Sequence, residues 1–249
     1  MKNRPNLSGR EDCTQTAIMR GIVPGLPPPD ILAAYIIVIF LAIGLHEYAH
    51  CKVADAAGDP TPALHGRVTL NLTKHFELSG TIMMFITALS GYGIGWGKAA
   101  PINPAKMRNP RWDVFYTVAA GPLSNILQAA IWAMAFRIVM AAAPSLIEQS
   151  DFVSALLFFG IRTNLALAFF NLIPFGPLDG HWIVGTFLPE KQRYYWYRFN
   201  RQIGMIGLFV AIFVFQAIRN NGGPDVLGLF LDKPINFMFR LLTGINLPL

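Results

Sequence analysis

From Ile31 to Leu45 every residue is apolar or glycine, Tyr35 being the most polar, and the run leads straight into His46-Glu47-Tyr48-Ala49-His50. As a helix, that run rises about 22 Å, which carries His46 past the midplane of a hydrocarbon layer about 30 Å thick. Few folds tolerate this, because lipid demands that every backbone polar group be bonded internally. Further apolar runs follow at 80–97, 113–143, 152–173 and 202–218, with a last segment from Val226 interrupted by Asp232-Lys233-Pro234. With 53% hydrophobic and 14% charged residues in a chain of 249, this patterning predicts an all-α polytopic membrane protein. The expected architecture is about five to six apolar helices, a small extended hairpin and a three-helix core.

The first helix is expected over 31–57, with Asp30 as its N-cap and Gly58-Asp59-Pro60 as its stop. On such a helix His46 and His50 lie one turn apart on one face and can share a zinc ion. Glu47 stands in the place of the general base that takes a proton from zinc-bound water. A helix can carry two His merely as hydrogen-bonding groups, but ionisable groups at membrane depth are costly and mark function. Cys51 follows the second His but points about 100° away from it around the helix, so it reads as packing rather than as a fourth ligand. With only Cys13 for company, it does not suggest a disulfide. His65 and His75 are isolated loop histidines in 61–78, where Arg67 to Leu72 alternates polar and apolar residues as a short strand or hairpin would.

Two imidazoles leave a catalytic zinc short of a protein ligand. Asp179 is the best candidate. An ordinary turn capping a helix would also place an Asp in Leu178-Asp179-Gly180. Its neighbours favour ligation: Pro174 and Pro177 break the helix, and Gly176 and Gly180 let the backbone fold closely. Broken backbone at membrane depth is tolerated only where it lines a buried or wet cavity.

Three stretches carry a family resemblance: His46-Glu47-Tyr48-Ala49-His50, Gly121-Pro122-Leu123-Ser124-Asn125, and Asn171 through Gly180. Together they resemble the signature motifs of the site-2 protease family, the membrane-embedded zinc metalloproteases. Gly95 to Lys98, Pro101 to Pro104 and Arg108 to Arg111 are similar to a compact prokaryotic branch, and nothing looks like an inserted peptide-binding (PDZ) module. The resemblance covers about 31–188. It implies one zinc per chain on His46, His50 and Asp179, and Glu47 as catalytic base and acid. It also implies Asn171 as a group binding the substrate carbonyl or its oxyanion, with Gly121, Pro122 and Asn125 shaping the wall beside the site. The substrate would be a transmembrane protein, cut in or near a membrane-spanning helix.

Three parts are expected: a polar, Pro-rich and poorly ordered arm over 1–30, a membrane-embedded core over 31–188, and C-terminal membrane helices over 189–249. No apolar stretch follows Arg10 ahead of the Pro-rich segment, so no cleaved leader is expected. The ligands must meet at one depth, so the first helix and the one over 152–173 should run parallel, with the 113–143 helix opposed. Residues 58–112 should then make no net crossing, and 80–97 should be re-entrant, interfacial or bent rather than a simple span. Lys98, Lys106, Arg108 and Arg111, with Lys191, Arg193, Arg198 and Arg201, put the site end in the cytoplasm by the positive-inside rule. Lys2, Arg4, Arg10 and Arg20 in the arm count against that orientation. The net charge of +6 reads as loop residues facing anionic lipid rather than nucleic acid, for which no motif is present. The alternative function is a non-proteolytic metal-binding transporter or sensor using the same His/His/Asp site, which would not need Glu47.

Overall fold

A computed structural model describes residues 28–77, 80 and 97–245; the arm over 1–27 and most of the 80–97 run lie outside the described residues. Among them the helices are α1 (Pro29–Ala56), α2 (Thr61–Leu64), α3 (Pro110–Ala142), α4 (Ser145–Gln149), α5 (Asp151–Asn171), α6 (Asp179–Phe187), α7 (Glu190–Asn220) and α8 (Val226–Thr243). α1, α3, α5 and α7 are long and apolar enough to cross a membrane. The described residues form helices and irregular segments only, as expected of an all-helical polytopic membrane protein. α3 presents Tyr116, Leu123, Leu127, Ile131, Met134 and Ile138 outward. This helical spacing of exposed apolar side chains suits lipid.

Local chemistry sets the helix ends. α1 and α3 both begin with a proline in the first turn, where the missing N–H costs nothing. Asp30 lies inside the first turn of α1 and makes no cap bond, so it complements the helix dipole instead of capping. In α3 the Asp113 carboxylate reaches back to accept the Asn109 N–H at 2.7 Å. Ser150 caps α5 through Val153 N–H at 3.3 Å.

Contacts fix the directions of the three central helices. Ile31 and Ala34 near the start of α1 pack on Ala155 near the start of α5, and Tyr35 meets Phe159 at 5.2 Å. α1 and α5 therefore run parallel. Ala54 and Ala57, by contrast, pack on Val114 and Val118 at the start of α3, so α3 is antiparallel to both. The Arg108 N–H donates to the Ala57 carbonyl at 3.1 Å. The segment between α1 and α3 thus leaves and returns at one end of the bundle, without a net crossing. A buried Asp59 ties it together: its carboxylate accepts from Thr61 N–H at 3.0 Å, from the Thr61 hydroxyl at 2.5 Å and from Asn103 N–H at 2.6 Å.

Two sequence expectations need correction. The hairpin expected in 61–78 is absent: the segment holds α2, an irregular stretch and a 3-10 turn over Leu72–His75. Here Asn71 N–H bonds the Thr69 hydroxyl at 3.1 Å and the Thr73 hydroxyl bonds Asn71 Oδ1 at 2.6 Å. Such local side-chain bonds compete with strand pairing. The helix expected over the apolar run 202–218 also begins earlier, at Glu190, and takes in the basic residues before that run. Those residues form the first third of α7, started by Pro189 and by Glu190 in the first turn.

Candidate metal centre

Between α5 and α6 the chain turns back on itself. Gly176 adopts φ +67, and a Cβ at Gly180 would lie 2.3 Å from the Leu172 carbonyl oxygen. This close approach swings Asp179, the first residue of α6, toward the last two turns of α1. Its carboxylate makes no capping bond to α6, so the cap alternative has no geometric support. Instead, Asp179 Oδ2 lies 3.3 Å from His46 Nε2, and Oδ1 lies 3.3 Å from His50 Nε2. The two Nε2 atoms are 3.0 Å apart. Both imidazoles are buried, at 7% and 4% exposure.

The hydrogen bonds behind these rings decide what the cluster can hold. His50 Nδ1 lies 2.7 Å from the Thr117 carbonyl, which can only accept, so Nδ1 carries the hydrogen. His46 Nδ1 lies 2.6 Å from Asn125 Oδ1. That amide cannot be flipped, because Asn125 Nδ2 donates to the Ala42 carbonyl at 3.1 Å and to Asn164 Oδ1 at 2.9 Å. Asn164 is oriented in turn by donating to the Gly160 carbonyl at 2.8 Å. In their neutral forms, the ones that can bind a metal, both imidazoles therefore turn a bare Nε2 lone pair inward. Two lone pairs and a carboxylate converge in a buried space, and Asp179 Oδ2 has no hydrogen bond of its own there. Such a constellation is repulsive unless a cation sits within it. The three ligand atoms all lie within 4.8 Å of one another, and two imidazole nitrogens with a carboxylate oxygen form a donor set that suits zinc. Glu47 lies one residue from His46, with a buried Oε2 that has no hydrogen-bond partner.

Comparison with known proteins agrees with this geometry. The family model described as Peptidase family M50 matches residues 137–215. That span includes Asn171 and Asp179 but neither His46 nor His50. The Bacillus subtilis protein named "Putative zinc metalloprotease YwhC" is 34% identical over 169 residues, which is 67% of this chain and 74% of that protein. This chain belongs to peptidase family M50. "Putative zinc metalloprotease Rip2" of Mycolicibacterium smegmatis is 30% identical over 172 residues, covering 67% of this chain and 63%, less than two thirds, of that relative. No solved structure matches significantly.

Around the cluster, this M50 chain arranges the remaining sequence-selected residues unevenly. Gly121 abuts both rings: a Cβ there would lie 2.4 Å from His50 Nε2 and 2.6 Å from His46 Cε1. Pro122 is fully buried beside it in α3. Asn125 is fully buried too, and its polar atoms are engaged by His46, Ala42 and Asn164 rather than facing an open wall. Asn171 ends α5 and donates its amide to the Leu167 carbonyl at 3.0 Å. Among the described residues no hydrogen bond or ion pair joins it to the cluster. Cys51 is buried and unpaired, and His65 bonds only its own turn, at the Thr61 carbonyl.

Asn164 and Thr117 escaped sequence reasoning. Thr117 acts through its backbone, which leaves no signal. Asn164 left a faint one, a lone amide inside an apolar helix, where an unpaired polar group is costly. Outer-shell partners of metal-binding histidines typically change metal affinity 10–100-fold. Asn164→Ala leaves the Asn125 amide held by the Ala42 carbonyl alone, so zinc affinity should fall toward the lower end of that range, about 10-fold, measured by competition with a chromogenic chelator. An affinity within threefold of the parent would contradict this role.

Proposed function

We propose that this M50 chain is an intramembrane zinc metalloprotease that hydrolyses peptide bonds in or near transmembrane helices of substrate proteins. The observation that supports it most is the convergence of Asp179 on His46 and His50, which stand on a helix long and apolar enough to cross a membrane, with the Glu47 carboxylate one residue away. His46 Nε2, His50 Nε2 and an Asp179 oxygen would hold the ion. When bound, zinc supplies Lewis acidity to the scissile carbonyl and to the attacking water. Glu47 Oε2, buried and without a partner, takes the proton from that water and delivers it to the leaving amine. Asn125 and the Thr117 carbonyl hold the two imidazoles in the required tautomer. Asn171 spends one amide hydrogen on Leu167. The other is left to donate to the substrate carbonyl as negative charge develops on it.

A membrane-spanning substrate must unwind locally to be cut, because in a helix each amide is shielded by its own turn. All of the proposed machinery lies within the core over 31–188, with the C-terminal helices beside it. The basic residue Arg108 lies at the same end of the bundle as His50, bonded to the Ala56 and Ala57 carbonyls, with the Lys106 carbonyl beside Gly58. The positive-inside rule therefore supports a site that opens toward the cytoplasm.

The test is cleavage of a transmembrane reporter by the purified protein in lipid nanodiscs. Cleavage should stop on zinc chelation and return on adding one equivalent of zinc. Cleavage indifferent to the chelator, or vesicles that accumulate metal while no reporter is cut, would overturn the reading.

A further inference from the structure

Beside α1 lies a second polar cluster that the reaction above does not use. Arg67 is 4% exposed and His75 is 0% exposed, and both sit in the loop that replaces the expected hairpin. The Arg67 guanidinium donates through Nη2 to the Lys98 carbonyl at 2.5 Å. The Lys98 N–H in turn donates to the His75 carbonyl at 2.8 Å. The loop therefore holds both backbone polar groups of Lys98. His75 is anchored from behind, donating from Nε2 to the Thr69 carbonyl at 3.0 Å. Its ring also meets Tyr48, the residue after Glu47, edge-on at 6.3 Å.

What this grip fixes is Gly97. A Cβ there would lie 3.2 Å from Glu47 Cγ and 3.3 Å from Glu47 Oε1. The same Cβ would lie 2.7 Å from Ile43 Cγ2, so the Gly97 backbone passes close over Ile43 and the Glu47 side chain, leaving about one methyl group of room. Glu47 Oε2 has no hydrogen-bond partner among the described residues. The charges are close enough to sense one another. Burial pushes the His75 imidazole below the usual histidine range, against the pull of its Thr69 bond, and the Arg67 charge adds to that while Glu47 opposes it. A buried guanidinium is a costly anchor for a single carbonyl, and Arg67 Nε has no hydrogen-bond partner among the described residues.

We propose that Arg67 is a positioning residue for Glu47: by gripping the Lys98 carbonyl it fixes the Gly97 backbone, which keeps the Glu47 carboxylate from swinging out of line. This rests on the reading of Glu47 as the proton-transferring group. A reacting group displaced by about 1 Å costs on the order of 10²-fold in rate. Arg67→Met in the full-length protein in nanodiscs should therefore lower kcat about 10²-fold, with KM changed less than about threefold and zinc content unchanged. Arg67→Lys can still donate to the same carbonyl and should recover most of that loss. The Lys98 amide should exchange with deuterium faster in Arg67→Met than in the parent. In a Gly97→Ala background, where that backbone is already displaced, removing Arg67 should cost little more, a non-additivity that a merely structural role would not give.

A kcat within threefold of the parent, or fully additive losses, would overturn the proposal. If Arg67→Met does not fold, Gly97→Ala alone decides: it must keep its zinc and lose kcat, and a parental kcat overturns the proposal. Glu47→Gln, run in parallel, separates the two claims. Turnover in Glu47→Gln sinks the reading of Glu47 itself; silence there, with parental turnover in Arg67→Met, sinks only the positioning role.

Discussion

Glu47→Gln is expected to abolish cleavage of a transmembrane reporter while leaving one zinc bound per chain. Glutamine keeps the shape and the packing against Gly97 but offers no basic oxygen. General acid–base groups contribute typically 10²–10⁴-fold. Glu47 is proposed to act twice, first as base toward water and then as acid toward the amine. The loss in kcat should therefore reach about 10³-fold or more. KM should change little, because the substitution removes an interaction made in the transition state rather than in binding. Single-turnover cleavage with zinc quantified on the same sample measures both quantities. A glutamine variant that still cuts at a substantial fraction of the parental rate would remove Glu47 from the chemistry. A variant that loses zinc as well would show that the carboxylate supports the metal.

The second large effect belongs to Asp179. Asp179→Ala removes the only carboxylate that meets both imidazoles, each at 3.3 Å, and leaves two neutral nitrogens to hold a divalent ion. Zinc affinity should fall by more than the 10–100-fold typical of losing an outer-shell partner, and cleavage should fall with it. Because Asp179 makes no capping bond to α6, the helix itself should survive, with unchanged helical content by circular dichroism. Asp179→Asn should fail almost as badly, since the amide keeps the volume but loses the charge. An alanine variant that binds zinc as tightly as the parent would mean that the third ligand lies elsewhere.

The parts of this site that were legible in the sequence are those where a local rule meets an expensive location. His46 and His50 stand out because their spacing puts them on one face and their depth makes them costly. Asp179 stands out because two prolines and two glycines break the backbone around it. Helix directions followed from the need for the ligands to meet, and Ala57 and Arg108 do lie at one end of the bundle. What was not legible depends on who neighbours whom. The alternation over 67–72 looked like a strand, but Asn71, Thr69 and Thr73 satisfy one another locally. The apolar run over 202–218 marked only part of its helix, because the charges over 191–201 form the first turns of α7. Asn125 was legible as a residue beside the site, but its bonds to His46 and Asn164 were not. Arg67 and Gly97 lie thirty positions apart, and only the folded loop brings the grip on Lys98 up to Glu47.

The central claim is that a single zinc ion sits where the two Nε2 atoms and the Asp179 carboxylate converge, and zinc-edge X-ray absorption of the zinc-loaded protein tests it most directly. The account predicts two imidazole nitrogens at about 2.0–2.1 Å, oxygen ligands completing the shell and no sulfur. A shell containing sulfur at about 2.3 Å, or one lacking imidazole scattering, would contradict it.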